Sequence, residues 1–453
     1  MVYHPETFKP LLFYQERERF LSGGSDPVQF LEQCLATVDQ LEDEVQAWVV
    51  LNRDDALEAA RASAQRYSAG RPLSAIDGMP IGIKDMIETR DMPTQMGSPA
   101  FKGHFPKVDT AAVQALRAAG AIILGKTVTI VLAFLDPGPT RNPFDLSRTP
   151  GGSSSGSAAA VAARMVPAAL GTQVIGSIIR PSSFCGNLGF KPTYGALHRG
   201  HAMIYSQSHL GVHAGCVQDV WSVAQVINQW AGGDPGSMGL YGGERSPEPI
   251  APRRLALLRG AAWARVDSQT LTAFEQFLEQ LQQAGVEVMT PESNPLVGYL
   301  EGLIQESAEL SVAICAWEQR ANLSNLARNH PQSLGPKLKE LLARAEKITL
   351  DEHRLALLKR DVIGQAHRAL ATVADGIVTL SANGPAPNAQ EALAGAFPTG
   401  DFTFSSIGTI LRAPAVNLPA LSVAGMPVGV QLITQPHQDA QLLSYAQWYQ
   451  CNP

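Results

Sequence analysis

The sequence predicts an α/β fold in which a sheet carries helices on both faces, and three observations support that expectation. Short apolar runs with strand character alternate with segments of helical periodicity along the chain. The hydrophobic fraction, 45% of 453 residues, is enough for a large core and too high for a disordered chain. Between Thr149 and Gly195 the stretch TPGGSSSGSAAAVAARMVPAALGTQVIGSIIRPSSFCGNLGFKPTYG concentrates glycine, serine and alanine, residues that let main-chain N–H groups come within reach of a ligand. No repeat or low-complexity segment interrupts the pattern. One large domain over 71–453 is therefore expected, with an N-terminal helical wrap over 1–70 and a variable helical insertion at about 290–370.

From Pro27 to Val50 the apolar residues fall at helical spacing, and Arg53–Tyr67 continues as an Ala-rich helix. In Leu73–Asp85, Gly78, Pro80 and Gly82 punctuate a short apolar segment that delivers Lys84 at its end. Asp109–Ala119 reads as an amphipathic helix stopped by Gly120, followed by a buried strand over Ala121–Leu124. The run from Gly120 to Thr127 satisfies the phosphate-loop pattern GxxxxGK[ST], but its context is wrong. A helix precedes it, its middle residues are apolar strand formers, and β-branched residues follow where a helix should open.

Ala158–Met165 reads as a helix whose positive N-terminal end points back at the serines, so an anion, or an oxygen that becomes one, is the expected visitor. A flexible linker would not lead into such a helix and then into apolar runs such as Ile178–Ile179. Helices are expected over Val217–Ala231, Gln269–Ala284, Gly302–Ala327 and Pro336–Ala371, and strands over Arg254–Leu258, Val286–Met289 and Gly376–Leu380. Asn417–Ile433 reads as two strands joined by a Gly-Met-Pro turn.

Charge and cysteine content narrow the function. With 35 basic and 41 acidic residues there is no cationic stripe to track a phosphate backbone, so no nucleic-acid partner is expected. No window approaches the roughly 20 apolar residues of a membrane span, and the N-terminus lacks a signal pattern, so a cytoplasmic protein without a membrane partner is expected. The five cysteines are scattered and never paired as CxxC, which argues against a disulfide framework or a zinc site and for buried free thiols.

Three residues stand out by position: Lys84 ending a strand, Ser153 after a glycine pair, and Ser177 after Gly176. A serine nucleophile needs a base, and no His-Asp pairing is suggested near the serine loop. A desolvated lysine can serve, and Ile81, Ile83 and Met86 supply apolar neighbours. A lysine taken alone is ordinarily solvent-exposed, so Lys84 gains weight only beside the serines.

These residues lie in motifs that resemble the amidase signature family: PGGSSSGSAAAVAA, then GT-x(3)-GS with IIRP and FCG, then GFKPTYG, in order. GIKD, AGAIILGKT, PTRNP at Pro139–Pro143 and the distal NLP and GMPVGVQLI are also similar, so the resemblance runs from about 70 to 435, with a variable region at about 240–370. It implies a single large mixed β-sheet and a Ser-cisSer-Lys catalytic unit with Ser177 as nucleophile, Ser153 as bridging serine after a cis peptide, and Lys84 as base. Ser154 would support them by hydrogen bonding, while Ser155 and Ser157 would cap the following helix. Backbone N–H groups of Val174, Ile175, Gly176 and Ser177 would hold the oxyanion, each well-placed donor being worth about 3–4 kcal/mol. The implied reaction is hydrolysis of a C(=O)–N bond through an acyl-enzyme, with no metal and no organic cofactor.

The chain departs from the family pattern in two places. Val174-Ile175 stands where Thr-Gly is usual, and Thr127–Phe134 replaces commonly polar residues, which suggests an apolar cleft lined by Ile130, Leu132, Phe134 and Leu135. Arg180 follows the nucleophile as in members acting on carboxylate-bearing amides; a structural arginine held against the loop fits equally well. Three readings follow. The first is a hydrolase of small apolar or aryl amides or carbamates (urethanes), for which a homodimer stays open. The second is the A-type component of a glutaminyl-tRNA amidotransferase, which shares the site but transfers ammonia with partner subunits. The third is a nonhydrolytic binding protein whose oxyanion loop is spoiled by Ile175.

Overall fold

Pro80–Lys84 forms the expected strand and lies well inside an eleven-stranded sheet, buried over its whole length. The computed structural model describes residues 2–200 and 205–452. In chain order the strands are β1 (Trp48–Leu51), β2 (Pro80–Lys84), β3 (Ile122–Thr127), β4 (Ala168–Gln173), β5 (Leu188–Lys191) and β6 (His209–Ala214). They continue as β7 (Arg254–Leu257), β8 (Glu287–Met289), β9 (Gly376–Leu380), β10 (Ala415–Val423) and β11 (Met426–Ile433). Their order in space is β1-β3-β2-β4-β6-β5-β10-β11-β9-β7-β8. The sheet is mixed: β2 runs parallel to β3 and β4, β6 is antiparallel to β4, and β7 is parallel to β8 and β9.

Alternation along the strands feeds a core on each face. On β9, Ile377 packs with Ile304, Ile363 and Ile407, whereas its neighbour Val378 joins Phe274, Leu418 and Val430 on the other side. Both sets are helix-borne on one side and strand-borne on the other, the layering of an α/β protein.

Several elements differ from the sequence expectation. The helix from Pro27 stops at Val45, and Gln46 turns left-handed with φ 54°. The Glu42 carboxylate then accepts the N–H groups of Ala47 and Trp48 at 2.9 and 2.8 Å and starts β1. The stretch 1–70 thus contributes an edge strand as well as helices. The helix expected over Ala158–Met165 runs Ser155–Ala162, so Ser155 and Ser157 lie inside it rather than capping it. Ser157 bonds instead to the Thr127 hydroxyl at 2.7 Å and to Leu170 O at 2.9 Å.

Gly302–Ala327 belongs to two helices, Pro295–Ile304 and Ser307–Asn329, and Pro336–Ala371 to another two, Pro336–Lys347 and Leu350–Leu370. Thr349 and Glu352 form a reciprocal capping box that starts the last of these. The β10–β11 turn is Ala424-Gly425, with φ of 51° and 74°, and Met426-Pro427 already lies in the strand. Four cysteines are buried free thiols, but Cys451 is exposed.

Gly120–Thr127 is helix end and strand, as its context required. Lys126 is buried, donating to Ile87 O at 2.7 Å and Thr94 Oγ1 at 2.6 Å, with Asp85 at 3.6 Å. Among the described residues no helix is long and apolar enough to cross a membrane.

Candidate active site

Lys84, the last residue of β2, is 0% exposed. Its Nζ donates to Ser153 Oγ at 2.6 Å and to Thr172 Oγ1 at 2.8 Å, and lies 3.5 Å from Thr172 O. Burial pushes its pKa well below the ordinary lysine value, and no carboxylate opposes that shift. Thr172, from the neighbouring β4, was not singled out from the sequence. Its only signal was the GT of the motif GT-x(3)-GS.

Ser153 follows a cis Gly152–Ser153 peptide and is 1% exposed. Two contacts stitch its segment to that of Ser177. The Ser154 N–H donates to Ser177 O at 3.3 Å, and the Arg180 guanidinium donates to Gly152 O at 2.6 Å. Ser154 Oγ also donates to Thr172 O and accepts from Thr172 N–H, both at 3.2 Å, which ties the serine loop to β4. The hydroxyl of Ser177 faces the cavity and bonds to no protein atom among the described residues.

Between β4 and Ser177 the backbone is arranged around Gln173. Its Oε1 accepts from the N–H groups of Ile178 and Ile179 at 2.7 and 3.0 Å, and its Nε2 donates to Ile175 O at 3.1 Å and Thr409 Oγ1 at 2.9 Å. Thr409 Oγ1 in turn donates to Ile175 O at 2.8 Å. The loop is braced from inside. By contrast, the N–H groups of Val174, Ile175, Gly176 and Ser177 donate to no acceptor among the described residues. Ile175 keeps φ outside the left-handed region, so its side chain imposes no backbone strain. Gly176 is required by packing, since a Cβ there would collide with Ser405 Oγ.

These groups open onto a cavity of about 410 Å³. Ile130, Leu132, Phe134 and Leu135 line it, as expected, together with Val174, Ile175 and Ser177. Met86, Met96, Phe101, Leu323 and Phe402, all missed in the sequence, complete its apolar wall. Leu132 and Ala133 take left-handed φ of 49° and 57° within the loop that forms this wall. Among the described residues no Asp or Glu lines the cavity, and Arg180 is the one charged residue that does. Arg180 is 2% exposed, bonded to Gly152 O and to Thr399 Oγ1 at 3.0 Å, and sits 5.7 Å from the Phe402 ring. Burial lowers its pKa to about 10, Asp401 partly opposing. It is held against the serine loop, with Nε unpartnered among the described residues.

The family model described as Amidase matches residues 29–443. The chain is 30% identical to the A-type component of the Glutamyl-tRNA(Gln) amidotransferase of Chloroflexus aggregans, covering 95% of this chain and 93% of the relative. It is 32% identical to the corresponding protein from Symbiobacterium thermophilum, covering 95% and 94%. Among solved structures, native peptide amidase from Stenotrophomonas maltophilia superposes with a TM-score of 0.80 at 26% identity, covering 96% of this chain and 95% of that one.

Proposed function

The chain belongs to the amidase family and is an amide-hydrolysing enzyme, and from that premise we propose that it cleaves small apolar or aryl amides and carbamates through a serine acyl-enzyme. The observation that carries the reading is the buried contact of Lys84 with Ser153 beside four N–H groups that have no acceptor among the described residues and an apolar cavity. Neutral Lys84 takes a proton from Ser153 as Ser153 takes one from Ser177, whose Oγ attacks the carbonyl carbon. Charge developing on the carbonyl oxygen meets the N–H groups of 174–177. The proton returns through Ser153 to the leaving nitrogen, and water then releases the acyl group.

Arg180, whose Nε is unpartnered and beside which no carboxylate lines the cavity among the described residues, would bind an acidic group on substrates that carry one, while Phe134 and Leu135 pack against an aryl or alkyl arm. No cofactor enters this scheme, and the substrate is the only partner it requires.

The test has two arms. A fluorophosphonate should label Ser177, identified by peptide mass, and a screen over aryl amides, carbamates and primary amides should show turnover that the label abolishes. Absence of labelling would favour the binding-protein alternative.

The names of the curated relatives favour a second reading, a glutaminase component delivering ammonia to partner subunits. Glutamine carries an α-ammonium group, and among the described residues the cavity offers no carboxylate to meet it, which favours the apolar substrate. Ammonia release from glutamine by the isolated chain, exceeding aryl amide hydrolysis, would reverse that preference.

A further inference from the structure

We propose that Ser208 determines specificity by hydrogen-bonding a neutral oxygen attached directly to the scissile carbonyl carbon, so that carbamates are preferred over amides of the same shape. The inference rests on the hydrolase reading above and refines the substrate of the same site.

Ser208 is 1% exposed and lines the cavity, yet its Oγ has no hydrogen-bond partner among the described residues. A buried hydroxyl with nothing to bond to is disfavoured, so one on a residue that lines a ligand cavity, free to turn about its Cα–Cβ bond, points to a ligand atom.

The turn that presents it is rigid. The Ser208 N–H donates to Tyr205 O at 3.0 Å, and Arg199, itself paired with Asp234, donates to Tyr205 O at 2.8 Å and Ser208 O at 2.9 Å. The Ser206 N–H and hydroxyl both go to the Glu318 carboxylate, and Gln207 Nε2 donates to Ser311 O at 3.0 Å. The charged groups that clamp the turn are thereby occupied by one another and by the backbone, and the Ser208 hydroxyl is an uncharged donor.

Register places it beside the reacting carbonyl. The last β4–β6 pair is Gln173 with His209, so Val174, the first of the four N–H groups without an acceptor among the described residues, and Ser208 each lie one residue beyond that pair. Both residues line the cavity. Lys84 stands on β2, at the other edge of β4. The leaving nitrogen must face Ser153 and Lys84 to receive its proton, so the remaining substituent of the carbonyl faces the β6 side, where Ser208 waits. In a carbamate that substituent begins with an oxygen that can accept from Ser208. In an amide it is a carbon, and the hydroxyl stays unpaired.

The experiment compares an N-aryl methyl carbamate with the matching N-aryl propionamide, which differ by one oxygen replaced by a methylene. The full chain and its Ser208→Ala and Ser208→Thr variants are assayed for kcat/KM on both, with fluorophosphonate labelling of Ser177 confirming a folded site. The carbamate-to-amide ratio should fall roughly three- to tenfold in Ser208→Ala, the span of one neutral hydrogen bond, and be kept in Ser208→Thr. An unchanged ratio in Ser208→Ala, with both substrates turned over, overturns the proposal and leaves the hydrolase reading standing. A wild-type chain that labels but hydrolyses neither substrate sinks the apolar amide and carbamate reading, and this proposal with it.

Discussion

Replacing Ile175 by glycine separates two roles for the loop before the proposed nucleophile. The side chain is 9% exposed and forms part of the cavity wall, while the carbonyl of the same residue is held by Gln173 Nε2 at 3.1 Å and Thr409 Oγ1 at 2.8 Å. Both bonds are to the backbone and survive loss of the side chain, so the N–H groups of 174–177 should keep their direction. What disappears is a branched apolar surface, and with it contact to any substrate arm large enough to reach it. One pocket side chain is worth about 1–3 kcal/mol, or roughly 5- to 150-fold in kcat/KM. Ile175→Gly should therefore lower kcat/KM for bulky aryl amides or carbamates by that factor relative to acetamide-sized substrates. The fold itself should lose about 2–4 kcal/mol from lost burial and added backbone freedom, read in urea. The assay is a matched pair of substrates sharing one leaving group and differing in arm size. A uniform gain of tenfold or more on every substrate would refute the reasoning, because it would mean that isoleucine had been distorting the oxyanion site.

Ser177→Ala should abolish turnover and fluorophosphonate labelling with Tm within a few degrees of wild type; retained turnover would reject Ser177 as nucleophile. Because the proposed base must be neutral and burial lowers the Lys84 pKa, protonation on acidification switches it off. The kcat/KM profile should rise with pH on a limb below the ordinary lysine range, and Lys84→Ala should lose both the limb and most of the rate; an unaltered profile would contradict the role. Gln173→Leu should remove the internal brace of the loop, costing about 2–4 kcal/mol in urea unfolding and lowering kcat more than it raises KM; wild-type kcat would show that the loop holds its shape without it. Activity should survive exhaustive chelation, since the scheme runs on serine and lysine alone, and a loss restored by zinc would displace it.

How far the sequence foretells this site depends on range. Lys84, Ser153 and Ser177 are legible because each sits in a local pattern: a strand end, a glycine pair, a Gly-Ser step. Gln173 occupies a variable position inside one of those patterns, and only the fold shows it turned inward against Thr409, 236 residues away. The cavity wall is harder still. Met86, Met96 and Phe101 come from the long connection after β2, Phe402 from a loop near the other end of the chain and Leu323 from a helix, and nothing periodic marks them. Trp48–Leu51 was hidden for another reason. Its apolar residues continue the helical spacing from Pro27, and it is the side chain of Glu42, meeting the N–H groups of Ala47 and Trp48, that ends the helix and frees the strand. Likewise the break at Gln305–Glu306 carries neither glycine nor proline, so Gly302–Ala327 read as one helix.

Burial alone does not single out the proposed base, because three lysines are fully buried: Lys84, Lys126 and Lys191. Desolvation lowers all three, but Asp85 opposes it at Lys126, left at about 8, and Asp439 opposes it at Lys191, left at about 7. Lys84 has no such counterweight. Its partners differ in kind as well. Lys191 donates to the carbonyls of Pro192 and Ala413, and Lys126 to the carbonyl of Ile87 and the Thr94 hydroxyl beside Asp85, so both sit among groups that mostly accept. An amine that has lost its proton still has N–H bonds to give them, but its lone pair finds little to accept from. Lys84 faces two hydroxyls, Ser153 Oγ and Thr172 Oγ1, and a hydroxyl can turn from acceptor to donor. Lys84 alone of the three has two hydroxyls as its closest partners, and one of them is the hydroxyl from which the proposed base would take its proton.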